Sequence, residues 1–429
     1  MTEVRVWGDA QQGAVDQMQA LVQYGDVFGA ALMADHHLGY SQPIGGVVAY
    51  RNQVSPSGVG FDIACGNKAV RTDLTLADVI DRTSELADRI FAEVEFGVGR
   101  NRPTAVDHDL FDDPAWEVLK EFAGKHTHDR LKAKARNQLG TVGSGNHYCD
   151  IFVETSPTNP LGEPVESADM DAPVWVGVHF GSRGLGHNIA TGFLKLGVGM
   201  GWDYRPAKGE RYEREEPTLF DLDSDLGRGY EVLMNLAGRY AYAGRDDVVG
   251  TVVGILGGSS TFEVHNHHNF AWREKHGGED VVVIRKGATP LFPGQQSFIG
   301  GSMCGPSVIV EGLDSEEAVA TMRSTVHGAG RIMGRMEAKG KRHRKTGELL
   351  LKEDGTPKRV GKVTPEMMAG AVARSGIELR GGGLDESPFV YRELPQVLEA
   401  HKESTKVLHT LRPLIVCMAG DDVQDPYKD

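Results

Sequence analysis

The chain is poor in cysteine. It has four in 429 residues, Cys65, Cys149, Cys304 and Cys417, and none of them makes a CxxC pair. That spacing argues against a disulfide framework or a structural zinc cluster and for a reducing, cytoplasmic setting. There is no apolar run near the ~18 residues that a membrane span needs, and the start "MTEVRVWGDAQQG" lacks a basic-then-apolar signal, so no membrane association is expected. Excess positive charge is also missing: the net charge is −14, which excludes nucleic-acid binding over the whole surface. No internal repeat and no long Pro/Ser linker breaks the chain.

Glycine is abundant instead. The 55 glycines sit in short motifs, as tight turns and backbone close to ligands require, not in one flexible run. Helix and strand patterns alternate. "LTLADVIDRTSELADRIF" places Leu76, Val79, Ile80, Thr83, Ala87 and Ile90 on one helical stripe. "FDDPAWEVLKEFA" has Asp113 as N-cap and Pro114 at the first helical position, and "LDSEEAVATMRS" reads as a helix capped near Asp314 or Ser315. "PVWVGVHF" from Pro173 and "EDVVVIRKGA" from Glu279 read as strands. We expect one large mixed α/β (α+β) domain over 1–429, with excursions around 155–170, around 203–226, and in a basic hairpin at about 340–363 that turns at Asp354-Gly355. Between Arg331 and Lys362 the sequence carries eleven Lys/Arg against four acids. A charge run is by default a solvated loop, but this one directly follows a histidine-glycine motif.

Five motifs mix glycine with histidine, aspartate or cysteine: "MADHHLGY" (Asp35, His36, His37), "GVGFDIACGN" (Asp62, Cys65), "GTVGSGNHYCD" (Asn146, His147), "VGVHFGSRGLGH" (His179, Arg183, His187) and "STVHGAGRIMGR" (His327, Arg331, Arg335); the histidine cluster of "FEVHNHHNFAW" (His265, His267, His268) joins them. Each alone is weak, because a single histidine at a strand end is more often a hydrogen-bonded core residue than a ligand. "GSRGLG" between strand and helix could cradle phosphate, but it has no Walker lysine and does not fit the dinucleotide pattern. Taken together, histidines, a carboxylate and a thiolate suit a divalent transition metal such as manganese, zinc or iron. Arginines beside such a set suit phosphate. The combination points to phosphoryl or nucleotidyl transfer. On a strand, His265 and His267 would share one face and His268 would take the other.

From about Leu32 to Gly420 the chain resembles the RtcB-type RNA ligases. The motifs that carry the likeness occur in the family's order: "MADHHLG", "GVGFDIACG", "GTVGSGNH", "VHFGSRGLG", "HHNFAWRE", "RKGATPLFPGQ", "GSM", "HGAGRIMGR". The resemblance implies a single RtcB-type domain with central β-sheets flanked by helices. It implies two manganese ions held by Asp62, Cys65, His147, His179 and His268, with Cys65 shared. It makes His327 the residue that becomes guanylylated. It places Asn146, Asp150, His268, Asn269, Gly301, Ser302, Met303, His327, Gly328, Ala329, Gly330 and Tyr391 around GTP. Arg183, Arg331 and Arg335 would hold phosphate or RNA.

The implied reaction joins RNA 3′-phosphate or 2′,3′-cyclic phosphate ends to 5′-hydroxyl ends, in tRNA splicing or RNA repair. The implied partners are tRNA halves or broken RNA, GTP, and an archease-type helper, with the ligase itself a monomer. The sequence departs from the family at four places. Ala419 stands where a lysine contacts the nucleotide, Asp150 where a glutamate contacts guanine, "YRE" (Tyr391, Arg392, Glu393) where the family reads "YKD", and Cys304 where it has glycine. These bear on nucleotide preference more than on the metal. They leave two other readings: an RNA-end-binding paralogue that does not ligate, and a metal-dependent cyclic phosphodiesterase.

Overall fold

The computed structural model describes residues 3–155, 169–207, 212–213, 216–343, 348–352 and 354–420. Two sheets organise the fold. The first has five strands in the order Val4–Val6, Val27–His37, Ile44–Tyr50, Glu279–Lys286, Asn269–His276. The second has eight. Ser260–His267, Gly66–Thr75, Pro173–Phe180, Tyr148–Thr155, Thr405–Gly420, Ser307–Gly312 and Gln296–Ile299 lie side by side, and Glu378–Gly382 pairs with Thr405–Gly420. Among the described residues, only Val4–Val6 and Glu378–Gly382 join these two sheets in parallel. Helices cover the sheets, so the fold is the mixed α+β one expected from the sequence.

The strand "PVWVGVHF" is buried over nearly its whole length because both of its faces are covered. Val174, Val176 and Val178 share a core with Val248, Val249 and Val252 of the helix Asp225–Leu256, while Trp175 packs with Phe152 and Phe298 on the other face. Burying such a side chain is worth about 1.5–3 kcal/mol, which is why the run carries no polar alternation. The long helix starts at Ser224, whose hydroxyl accepts from Gly227 N at 3.0 Å, and ends at Gly257 in the left-handed region (φ 85°).

Some expectations shift. The stripe from Leu76 is interrupted: Leu76–Val79 and Thr83–Glu93 are separate helices joined by a tight turn at Ile80–Arg82, where Val79 leaves helical φ at −123°. The break changes the phase, so Leu86 is buried with Ala87 and Ile90 while Thr83 is only half-buried. The helix Ala115–Gln138 begins beside Asp113, whose Oδ1 accepts from Ala115 N at 2.8 Å, and is interrupted at Gly124 (φ 77°). Ser315, rather than Asp314, caps Glu316–Ala320. In the basic excursion Gly355 turns with φ 80° and Thr356 N donates to Asp354 Oδ1 at 2.8 Å, and among the described residues its two sides meet in isolated bridges such as Leu351–Pro357 rather than in a named strand pair. The excursion around 155–170 lies largely outside the described residues. No helix among the described residues is long and apolar enough to cross a membrane.

Candidate active site

The register of the second sheet builds the site. Asn67 pairs with His179, His179 with Tyr148, and Gly66 with His267. Cys65, His147 and His268 lie one residue beyond these pairs, so with His179 they gather at one end of four adjacent strands. Cys65 Sγ lies 3.2 Å from His179 Nε2 and 3.5 Å from His147 Nε2, and His147 Nε2 lies 3.0 Å from Asp62 Oδ2. The His179 and His268 rings are 5.0 Å apart, edge to face. Two donor groups result, Cys65–His179–His268 and Asp62–Cys65–His147, each with its atoms within 4.8 Å of one another and both sharing Cys65.

Thiol, carboxylate and imidazole at this spacing fit a transition metal. The Nδ1 atoms of His147 and His268 are buried without a hydrogen-bond partner. Burial and the Asp62 carboxylate push the Cys65 thiol up, while burial and the neighbouring imidazoles hold His179 and His268 well below the usual histidine value. Those imidazoles are therefore neutral and able to donate a lone pair. Gly181 is required here, because a Cβ at that position would lie 2.1 Å from Asp62 Oδ1 and 3.0 Å from Cys65 Cα.

His327 stands beside this group, its ring 4.9 Å from that of His268. It follows Ser324–Val326, which pairs with Ala288–Pro290, and Ala288 N in turn donates to the His268 carbonyl at 3.2 Å. Asp35, fully buried on Val27–His37 of the first sheet, fixes it: His327 Nδ1 is 2.6 Å from Asp35 Oδ2, and His327 N donates to the same oxygen at 3.0 Å. Burial opposes ionisation of Asp35, but the His327 ring and the backbone N–H groups of His327 and Gly328 outweigh it and hold the carboxyl below its usual range. The Asp35 carboxylate thus fixes a proton on Nδ1, and Nε2 is the ring nitrogen that Asp35 does not engage.

All the residues expected at the metal, nucleotide and phosphate positions line one cleft of about 770 Å³. Asn146, Asp150, His268 and Asn269 come from strand ends, Gly301–Met303 from a turn, Gly328–Gly330 from the segment after His327, and Tyr391 from the chain that follows a short turn at Pro388–Val390. Gly330 needs its positive φ of 75°, since a Cβ there would lie 2.2 Å from the Asp35 carbonyl. The arginines differ in what surrounds them. Arg331 Nη1 reaches Tyr391 Oη at 3.1 Å and Glu386 Oε2 at 3.4 Å, and Arg335 Nη1 pairs with Glu386 and, at 3.2 Å, with Asp385. Both already face carboxylates, with which a phosphate would compete. Arg183, at the start of Arg183–Gly197, donates to Thr141 Oγ1 and the Gly97 carbonyl at 3.4 and 3.3 Å.

A family model described as "tRNA-splicing ligase RtcB" matches residues 17–419. The chain belongs to the RtcB family. It is 30% identical over 413 residues to the RNA-splicing ligase RtcB of Escherichia coli K12, covering 91% of this chain and 90% of that one. It is 31% identical over 362 residues to the tRNA-splicing ligase RtcB of Thermococcus kodakarensis, covering 72% and 73%, and 31% identical over 391 residues to that of Archaeoglobus fulgidus, covering 77% and 78%.

Within this RtcB chain the departures can now be located. Val416 and Met418 look into the cleft, whereas Cys417 and Ala419 pack into the core on the far face of the strand. Asp150 lines the cleft but is buried, accepts from Cys417 N at 3.3 Å, and is pushed well above the usual carboxylate value by burial. Arg392 donates to the Asp35 and His36 carbonyls at 3.3 and 3.0 Å and so ties the His327 segment to the first sheet. From sequence, Asp35 had no role beyond its place in "MADHHLGY". Its signal was that it is the one acid in the run "VFGAALMADHH", directly after eight uncharged, mostly apolar residues. Lys286 had no role either; it is a buried cleft residue whose Nζ donates to the Tyr40 carbonyl at 2.5 Å.

Proposed function

We propose that this chain joins RNA ends, sealing a 3′-phosphate or 2′,3′-cyclic phosphate end to a 5′-hydroxyl end with GTP as the activating nucleotide. The observation that carries this reading is the pinning of His327 Nδ1 by Asp35, which leaves Nε2 free beside a metal-type donor set. Asp62, Cys65, His147, His179 and His268 would hold two manganese ions, with Cys65 common to both. Bound there, the metal supplies charge neutralisation on the phosphates of nucleotide and RNA.

The chain's own residues then account for the chemistry. Nε2 of His327 forms a bond to the α-phosphorus of GTP, and the bond to pyrophosphate breaks. The ring gains positive character as that bond forms, and the Asp35 carboxylate, already accepting the Nδ1 proton, stabilises it. The guanylyl group next passes to the RNA 3′-phosphate, which frees Nε2. Attack by the 5′-hydroxyl on the activated phosphate closes the phosphodiester and releases GMP. A 2′,3′-cyclic end is first opened by water. Asn146, Ser302, Ala329 and Tyr391 line the cleft where the nucleotide would sit, and Arg183, Arg331 and Arg335 where phosphates would lie. We read the chain as one catalytic unit, since both sheets contribute to this cleft.

The test is product analysis with a 2′,3′-cyclic phosphate RNA and a 5′-hydroxyl RNA in the presence of manganese and GTP. The expected product is the joined strand. An opened but unjoined end would make the protein a phosphodiesterase, and salt-dependent binding with neither product would make it an end-binding protein.

A further inference from the structure

A second cleft, of about 540 Å³, meets the first at Tyr391, which lines both. The turn closed by Gly305 N to Ser302 O at 2.9 Å separates the two, sending Ser302 and Met303 into the main cleft and Cys304 into the second. Arg374 and Arg412 line the second cleft with the hydroxyl-bearing Thr155, Ser375 and Thr410. Arg412 is half-buried, its Nη2 donates to the Ser375 carbonyl at 3.0 Å, and its Nη1 is buried with no partner. Among the described residues neither arginine makes an ion pair, in contrast to Arg331 and Arg335. Glu393 is the cleft's one carboxylate, and it is exposed.

Two arginines that make no ion pair among the described residues, in a concave site of ordinary ligand size, suit an anion with several oxygens. In a protein of net charge −14 such a site is a local exception. We propose that the second cleft is a phosphate-binding subsite that holds a phosphodiester of the RNA strand whose end occupies the main cleft. This rests on the RNA-joining reading and adds to it a contact away from the reacting end.

The test compares binding of a 3′-phosphorylated dinucleotide with that of an oligomer of about twelve nucleotides. Arg374 is exposed, so Arg374→Glu should leave the fold intact. The variant should bind the longer RNA about tenfold more weakly at low salt, with a log–log salt dependence shallower by ~0.7 for each phosphate that is no longer neutralised. Dinucleotide binding and nucleotide labelling of His327 should not change. An equal weakening for both lengths, or none, overturns the proposal.

The unmutated protein gives a second readout, because Cys304 is partly exposed whereas Cys65, Cys149 and Cys417 are buried. Its alkylation should slow with the longer RNA and not with the dinucleotide. Inorganic phosphate slowing it as much as the longer RNA would assign the cleft to a free anion and overturn the strand contact. Failure of His327 to take up nucleotide would instead count against the function itself, which keeps the two claims separable.

Discussion

Asp35 and His327 are 292 positions apart in sequence and 2.6 Å apart in the fold, and the proposed chemistry depends on that contact. Asp35→Asn keeps the size and removes the charge, so Nδ1 need no longer carry the proton and Nε2 is lost as a nucleophile in part of the population. We predict a fall in self-nucleotidylation on the order of 10²–10⁴-fold, read as the rate of label uptake by a protein that still melts cooperatively. An unchanged rate would rule out this role for Asp35. Single residues also show what the sequence could and could not tell. Strand periodicity singled out His265 and His267 as a same-face pair, and they are one: Arg245, fully buried, donates to His265 Nε2 at 2.8 Å and meets His267 Nδ1 at 2.9 Å. The donor set instead takes His268, which the family motifs had picked out. It sits where one strand ends at His267 and the next begins at Asn269 in the other sheet. Alternation within a strand carries no information about such a crossing, and nothing near Arg245 in the sequence announces its partners.

Among the elements, the sheet register brings Cys65, His147, His179 and His268 together, and a glycine lets the carboxylate join them. Gly181→Ala would set a methyl against Asp62 Oδ1. We predict about a 10–100-fold loss of metal affinity, measured by titration with manganese, while the apo protein keeps its secondary structure. Unchanged affinity would mean that Asp62 is not a ligand. Strands were legible where burial on both faces forced an apolar run, as in Pro173–Phe180, because hydrophobic burial is local to those residues. The helix from Leu76 was legible as a helix but not in its phase, since a break at Val79 depends on how the two pieces dock. Pairing order was not legible: Tyr148–Thr155 lies between Pro173–Phe180 and Thr405–Gly420, and pairing at such sequence separation leaves no local mark.

For the molecule as a whole, histidines that the fold keeps uncharged, half-buried His37 among them, contribute to the response to acid. Desolvation in the fold lowers His37 to about 3. Its unfolded value is near 6.5, so between those limits the unfolded chain binds a proton that the folded chain does not. The stability this residue contributes is therefore complete above pH ~6.5 and falls as pH drops toward 3, by up to about 1.4 kcal/mol per pH unit. Denaturant titrations over that range should show His37→Leu with a slope against pH reduced by about one proton, and an identical slope would contradict the burial argument. Whether His327 is the nucleophile of a nucleotidyl-transfer centre is decided by incubating the protein with manganese and radiolabelled GTP, with ATP and CTP in parallel. The expected result is covalent label from GTP on the wild-type chain and none on His327→Ala. Absence of label from every nucleotide, or label that survives in His327→Ala, would mean that His327 does not carry the guanylyl group.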